Sequence, residues 1–430
     1  MLNTIIKNFF SRILNIVIQF CSLVLINKLL GTQGRGEYSA IITWGLTFVT
    51  IFYLSINIGL LRYNYINKSK ENTIQEIESM ILYLPLIFGA IAIFISLAFP
   101  FVFPNVFKNV NAENYMMVMI SLPFIIYNFY LQSYMQIKSN YKQLNILLYL
   151  PNLASLTFVF IAWQLNRLTV FSAAITYTAG QVIGVMPALV KLLSQKKVPF
   201  SGHAFAKVFK VSLIVHVATI ITFIVNKFDV LLINYFKGNN DTGIYFLATS
   251  IVGFVIIVPS ALQSVLYSKL STKDSAFSPA NICRVCRITM TGIFIGVAVL
   301  YFIVKPVVAI AGGIHYRDAE TFLYILLPVC FFTTLGVTLS SYWNLIGIYR
   351  IINIFSFVIM IFSLAFNFFL IPRYGPVGAS ITYLASAFFS FLFHCYLAFK
   401  YLHIKNFGDI LFPTKEDIHF IRNAIGKKQR

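Results

Sequence analysis

Leu25 to Ser39 reads LINKLLGTQGRGEYS, and Leu232 to Phe246 reads LINYFKGNNDTGIYF. At one constant offset, Leu, Ile, Asn, Gly, Gly and Tyr coincide. A second pair, AAITYTA from Ala173 and ASITYLA from Ala379, recurs at nearly the same offset. The chain therefore reads as two similar halves, and the question becomes what each half is made of.

Composition answers it. Of 430 residues, 59% are hydrophobic and 11% charged, and the mean hydropathy is +0.81, whereas a soluble domain carries roughly a quarter charged residues. A soluble globule is excluded. A helix needs about 20 apolar residues to cross a bilayer, so the length suits about 12 spans with short connections and leaves little chain for a separate catalytic domain. The apolar runs predict spans near 9–30, 38–61, 79–103, 114–137, 143–163 and 168–190, then 208–236, 243–268, 286–310, 320–346, 351–371 and 376–399. The fold class is thus an all-α polytopic membrane protein with two pseudo-symmetric six-helix bundles around a central cavity. An even number of spans per half inserts both halves the same way up. Residues 1–195 form the first bundle, 196–400 the second, and 401–430 a basic cytoplasmic tail. In that tail Thr414 to Asp417 has the pattern of a capping box, and Ile418, Ile421 and Ile425 then fall on one helical face.

The net charge of +20 raises the question of nucleic acid, but the basic residues sit mostly in short loops and at the two ends, so lipid headgroups and anionic lipid-linked substrates are the expected partners. With the amino terminus inside, only Arg35, Lys108, Arg167, Lys237, Arg317 and Arg373 fall outside, against about 24 on cytoplasmic segments. Both termini are expected in the cytoplasm. The first apolar run is longer than a signal peptide's and lacks a small-residue cleavage site, so it is expected to be a retained span. Five cysteines give no sign of a disulfide framework. Cys283 and Cys286 form a lone CxxC in the predicted loop before the ninth span, with no second pair to complete a zinc site. No nucleotide-binding glycine pattern occurs, so neither metal nor cofactor is expected. The glycines at 31, 34 and 36 read as a tight turn.

The repeat aligns a polar stripe. Arg12, Asn15, Gln19 and Ser22 share one face of the first span, and Thr219, Thr222, Asn226 and Asp229 take the equivalent positions on the seventh. Such hydroxyls and amides can simply join helices. Arg12 and Asp229 favour a cavity instead, because ionisable groups at depth are costly and face water or a partner. Arg62 ends the second span, where it is either a topology anchor or a substrate contact. Lys227 and Asp229 are two residues apart and do not face each other along the helix. His216, about three turns below Asn226, is more readily a packed neutral side chain than a ligand. Prolines 85, 123, 151, 187, 259 and 328 within the spans read as kinks.

These residues resemble the polysaccharide transporter family of the multidrug, oligosaccharidyl-lipid and polysaccharide exporter superfamily, specifically Wzx-type flippases of O-antigen or capsule repeat units. The resemblance rests on LGTQGRGEYS after the first span, INIGLLRY from Ile56 to Tyr63, NKFDVLLINYFKGNNDTGIYFLA on the seventh and IPRYGPVGASITY from Ile371 to Tyr383, and runs across nearly the whole chain. It implies a non-enzymatic carrier in the bacterial inner membrane that moves an undecaprenyl-pyrophosphate-linked oligosaccharide to the outer leaflet by alternating access. It also implies a glycan polymerase and a chain-length regulator as neighbours. Arg12, Arg62 and Lys227 fall where similar proteins place basic cavity residues, so the substrate-binding candidates are Arg12, Asn15, Gln19, Arg62, His216, Asn226 and Lys227. Asp229 is the carboxylate candidate for ion coupling. A multidrug exporter of the same superfamily shares the architecture, and a membrane glycan polymerase or ligase remains the enzymatic alternative, one expected to carry a larger outer loop.

Overall fold

The computed structural model describes residues 2–67, 72–194, 199–270, 279–402, 404, 406–415 and 417. Among the described residues the regular structure is entirely helical. In chain order the helices are α1 (Leu2–Phe52), α2 (Ile56–Ile66), α3 (Thr73–Val102), α4 (Ala112–Met119), α5 (Leu122–Ile137), α6 (Tyr141–Gln164), α7 (Val170–Leu193), α8 (Gly202–Lys237), α9 (Asn239–Leu270), α10 (Pro279–Phe302), α11 (Val304–Ala311), α12 (Ala319–Leu345), α13 (Tyr349–Tyr374), α14 (Pro376–Leu402) and α15 (Gly408–Leu411).

Among the described residues, eleven helical segments are long and apolar enough to cross a membrane. The first, Ser11–Ile66, has 56 residues, or about 84 Å at 1.5 Å per residue, enough for two crossings of a roughly 30 Å core. It divides at Gly31, whose φ of 66° and ψ of −177° lie where side-chain-bearing residues rarely go. Counting that segment twice gives the expected 12 spans. Gly238, 207 residues later, has φ 86° and ψ −172° and separates α8 from α9. The duplicated sequence is therefore a duplicated backbone break.

Prolines act in different ways. Pro123 opens α5 and accounts for the interruption between α4 and α5 within the fourth span. Pro151 packs its ring where Gly184 leaves room on α7, and Gly180 lies against its carbonyl; a Cβ at either glycine would collide. Small residues that let two membrane helices approach closely are the usual device for such crossings.

The chain forms two compact units. The first runs to Leu247 and takes in Ile310–Tyr316; the second comprises Ala248–Ala309 and the chain from Arg317 onward. The boundary expected at 195/196 falls inside the first unit, because α8 packs on α1 and α2. A core of Ile41, Trp44, Leu60, Met80, Ile126 and Tyr130 fills this unit. In the second, α12 packs on α10 and α14 around Met290, Leu335, Trp343 and Cys395. There the Trp343 indole donates to Nδ1 of His394 at 3.1 Å.

Two expectations need correction or completion in this unit. Cys283 and Cys286 are not in a loop: α10 begins at Pro279, a residue suited to the first helical turn, and both thiols are buried in the core. The capping box at Thr414 forms: the Asp417 amide donates to the Thr414 hydroxyl at 3.4 Å, and the Thr414 amide donates to the Asp417 carboxylate at 2.9 Å. Ile418, Ile421 and Ile425 lie outside the described residues.

Candidate functional site

The two copies of the repeated sequence meet each other. A Cβ on Gly36 would run into the backbone carbonyl of Asn239, and one on Gly243 would run into that of Thr32. Gly36 and Gly243 are 207 residues apart, and so are Thr32 and Asn239, so the contact is reciprocal. The Thr32 hydroxyl also donates to the Asn240 side chain. Only glycine permits this approach at both positions.

Side-chain hydrogen bonds brace both helix breaks. Asn109 donates to the Asn234 carbonyl of α8, and its own carbonyl accepts from Asn239 at 2.8 Å. Tyr316, 207 residues after Asn109, donates to the Gly31 carbonyl at 3.0 Å. Burial pushes its phenol pKa up, so it stays a donor. Asn27 donates to Ala311 at 3.0 Å, while its repeat partner Asn234 donates to Asn239 at 2.7 Å. Buried backbone groups without partners are expensive in a bilayer, and here each break brings its own donor.

Beside this crossing lie charges. Arg35 is 5% exposed and its Nε has no hydrogen-bond partner among the described residues. Its guanidinium carbon lies 4.9 Å from the Phe246 ring centre and 5.6 Å from that of Tyr38. The Lys227 ammonium also sits over Phe246, at 5.9 Å. Asp229 is 3% exposed, accepting the Tyr245 hydroxyl and, at 2.8 Å, the amide of Val230. Tyr38 and Tyr245 are repeat partners, each beside a buried charge of opposite sign.

A third feature breaks the second span. Leu54 and Ser55 have φ of 51° and 49°, left-handed values uncommon without glycine. Side chains reach the carbonyls at this break: Tyr130 donates to Tyr53 at 2.8 Å, and Nε2 of His216 pairs with Ile51 at 3.1 Å. Nδ1 of His216 meets the Ser55 hydroxyl at 3.3 Å. With both ring nitrogens engaged, His216 is a packing and capping residue in this arrangement.

The sequence of residues 2–267 matches the family model described as Polysaccharide biosynthesis protein. The chain belongs to that family. Solved structures at low identity share the fold of this chain. The lipid II flippase MurJ in an inward closed conformation matches with TM-score 0.78 and 16% identity over 95% of this chain and 89% of that one. An inward-facing multidrug resistance transporter of the MATE family, in the MOP superfamily, matches with TM-score 0.74 and 13% identity over 90% and 94%. A MOP superfamily transporter from Pyrococcus furiosus matches with TM-score 0.64 and 14% identity over 94% and 96%. No curated protein is matched by sequence.

Within this family member the expected stripe residues separate into two groups. Arg12 and Gln19 are half-buried on α1, and Asn226 is exposed on α8, its amide donating to the Thr222 carbonyl at 2.8 Å. Arg62 is exposed on α2. Asn15 instead accepts from Asn152 of α6 at 2.9 Å, a contact that joins helices. Lys227 and Asp229 point into the packed surroundings of Phe246 and Tyr245. Sequence reasoning passed over Arg35, taken for a loop charge, and over Gly36 and Gly243 as a crossing. The signal was present: side chains that recur at a fixed offset on two helices can make the same contact twice.

Proposed function

We propose that this protein moves a lipid-linked oligosaccharide, carried on a polyprenyl pyrophosphate, from the cytoplasmic to the outer leaflet by alternating access. The observation that carries the reading is the reciprocal glycine crossing. It closes the first turns of α9 against the middle of α1, just past the breaks at Gly31 and Gly238, while Arg12 and Gln19 of α1 and Asn226 of α8, none of them fully buried, lie several turns before those breaks. In this reading the sealed end faces outward, both termini are cytoplasmic, and the exposed polar side chains with Arg62 receive the headgroup. Membership in a polysaccharide biosynthesis family favours a glycan cargo.

The physical demands fit. A pyrophosphate and a hydrated glycan cannot cross hydrocarbon cheaply, whereas the polyprenyl tail never has to leave it. Outward movement of an anion runs with an inside-negative potential, worth about 2.3 kcal/mol per charge per 100 mV, so ion coupling is not obligatory.

The test is reconstitution in liposomes with two cargoes. Facilitated transfer of a fluorescent polyprenyl-pyrophosphate oligosaccharide, without export of an organic cation dye, supports the proposal. Dye export without glycolipid transfer assigns the protein to drug efflux instead. Reporter fusions at Lys196 and Lys237 should report opposite sides of the membrane, and equal sidedness would sink the orientation.

A further inference from the structure

A buried cation with no carboxylate is unusual, because removing a charge from water is repaid only by a partner. Arg35 is such a cation: among the described residues it forms no salt bridge, its Nε is unpaired, and aromatic faces are its neighbours. It is also adjacent in sequence to Gly36, the residue that closes against Asn239. We propose that Arg35 is a second anion-binding residue, at the sealed end, and that it takes hold of a phosphate group only when the glycine crossing loosens. The inference rests on the pyrophosphate cargo proposed above and extends it to a residue and a consequence.

The guanidinium has two competing partners. While the crossing is closed it lies over Phe246 and Tyr38. Released, its planar donor fork can form paired hydrogen bonds to phosphate oxygens, and charge-assisted bonds of that kind are stronger than a cation over a ring. An anion that reaches Arg35 therefore binds the loosened arrangement better than the closed one, and a ligand with such a preference shifts the population toward it. Lys227 on the same Phe246 ring adds a second positive charge to the place the phosphate must approach. Cargo arrival and outer opening become one linked equilibrium, with Phe246 holding the latch while no anion is bound.

The reporter is a cysteine pair at Thr32 and Asn240, whose side chains are hydrogen-bonded in the closed crossing, in full-length protein with Cys21→Ser. Farnesyl pyrophosphate should slow disulfide formation at least threefold, and farnesol should not. Arg35→Gln should still cross-link but lose the response, and Arg35→Lys should keep part of it. Phe246→Leu, which leaves the cation in place, should respond at roughly three- to tenfold lower farnesyl pyrophosphate. That variant serves as the test if Arg35→Gln does not fold. Inorganic pyrophosphate giving the same slowing supports an anion site that needs no lipid tail. Wild-type protein that binds farnesyl pyrophosphate but cross-links unchanged, or Arg35→Gln that responds like wild type, overturns the role of Arg35 and leaves the cargo proposal standing. Absence of any pyrophosphate binding, together with binding of a cationic dye, overturns both.

Discussion

The turn at Gly31–Tyr38 and its copy at Gly238–Tyr245 agree in backbone and in contacts, whereas the stripes one helix-length away do not agree at all. At the turns, Asn27 and Asn234, Gly31 and Gly238, Gly36 and Gly243, and Tyr38 and Tyr245 are identical pairs. Along the stripes Arg12 stands opposite Thr219, Asn15 opposite Thr222, Gln19 opposite Asn226, and Ser22 opposite Asp229. The difference is physical. Two backbones approaching reciprocally impose the same requirement on each partner, and glycine is the one residue that meets it. A ligand that enters between two helices has no such symmetry, so the side chains that meet it are free to differ.

The comparison breaks most severely at the crossing. Gly36→Val and Gly243→Val should each abolish closure and lower transport more than a hundredfold, by similar amounts, since each collides with an equivalent carbonyl. Disulfide formation between cysteines at 32 and 240 measures closure directly. Gly292→Ala on α10, where an added Cβ meets nothing within 4 Å, should be harmless or stabilising by up to about 1 kcal/mol, because glycine is a poor helix residue. Equal damage at Gly292 would mean that glycine replacement acts through general helix packing.

Asp229 sharpens the contrast, being a buried charge where the other copy has a serine. Tyr245→Phe removes one of its donors and should cost roughly 1–3 kcal/mol of stability, the usual effect of leaving a buried acceptor short of a partner. Asp229→Asn should be milder, because the amide keeps the shape and can accept from Tyr245. A thermal unfolding series on purified protein checks the order. If Asp229→Asn transports with unchanged pH dependence, proton coupling through this residue is excluded.

The span count and the duplication were legible because each is a periodic pattern of hydropathy or identity, and helices translate such patterns into structure directly. The burial of Arg35 was not legible. A basic residue between two apolar runs looks like a loop anchor, and only the single-residue break at Gly31, with helix resuming at once, draws it inside. The contact of His216 with the Ile51 carbonyl was not legible either, because it depends on the left-handed pair at Leu54 and Ser55, which carries no glycine to announce it. The CxxC was misplaced because the helix starts at Pro279, about two turns before the apolar run at residue 286 suggests.

At the end of α1 and α2 proposed to receive the headgroup, the contacts should show smaller effects. Arg12→Ala and Arg62→Ala are each expected to reduce glycolipid transfer about three- to tenfold, with Arg12→Lys recovering only part, since an ammonium lacks the fork that grips phosphate. Thr219→Ala, at the position matching Arg12, should change transfer less than twofold. If Arg12 and Thr219 prove equally dispensable, the asymmetry of the stripes has no bearing on cargo.

The smallest effect belongs to the tail, a region with no counterpart in the first half. Asp417 is buried and accepts from Arg284 at 3.2 Å and from two nitrogens of Arg287, while Arg287 also donates to the Asp409 carbonyl at 2.8 Å. Hydrogen bonding by Arg287 holds the Asp417 carboxyl well below its usual pKa. A carboxylate whose pKa is depressed on docking contributes its full stabilisation above its free value, near 4, and loses it as pH falls below that toward the docked value. The tail should therefore remain docked from pH 8 to about 5 and begin to release only below about 4, which makes it a fixed brace at neutral pH. The anisotropy of a dye on a cysteine at Phe412, with Cys21 replaced by serine, should be flat through the neutral range and drop in acid. Asp417→Asn should lower anisotropy at neutral pH and flatten the acid transition, with transfer reduced less than twofold. A transition centred near pH 6 to 7 instead would point to a histidine as the group in control and would remove Asp417 from the account of how the tail is held.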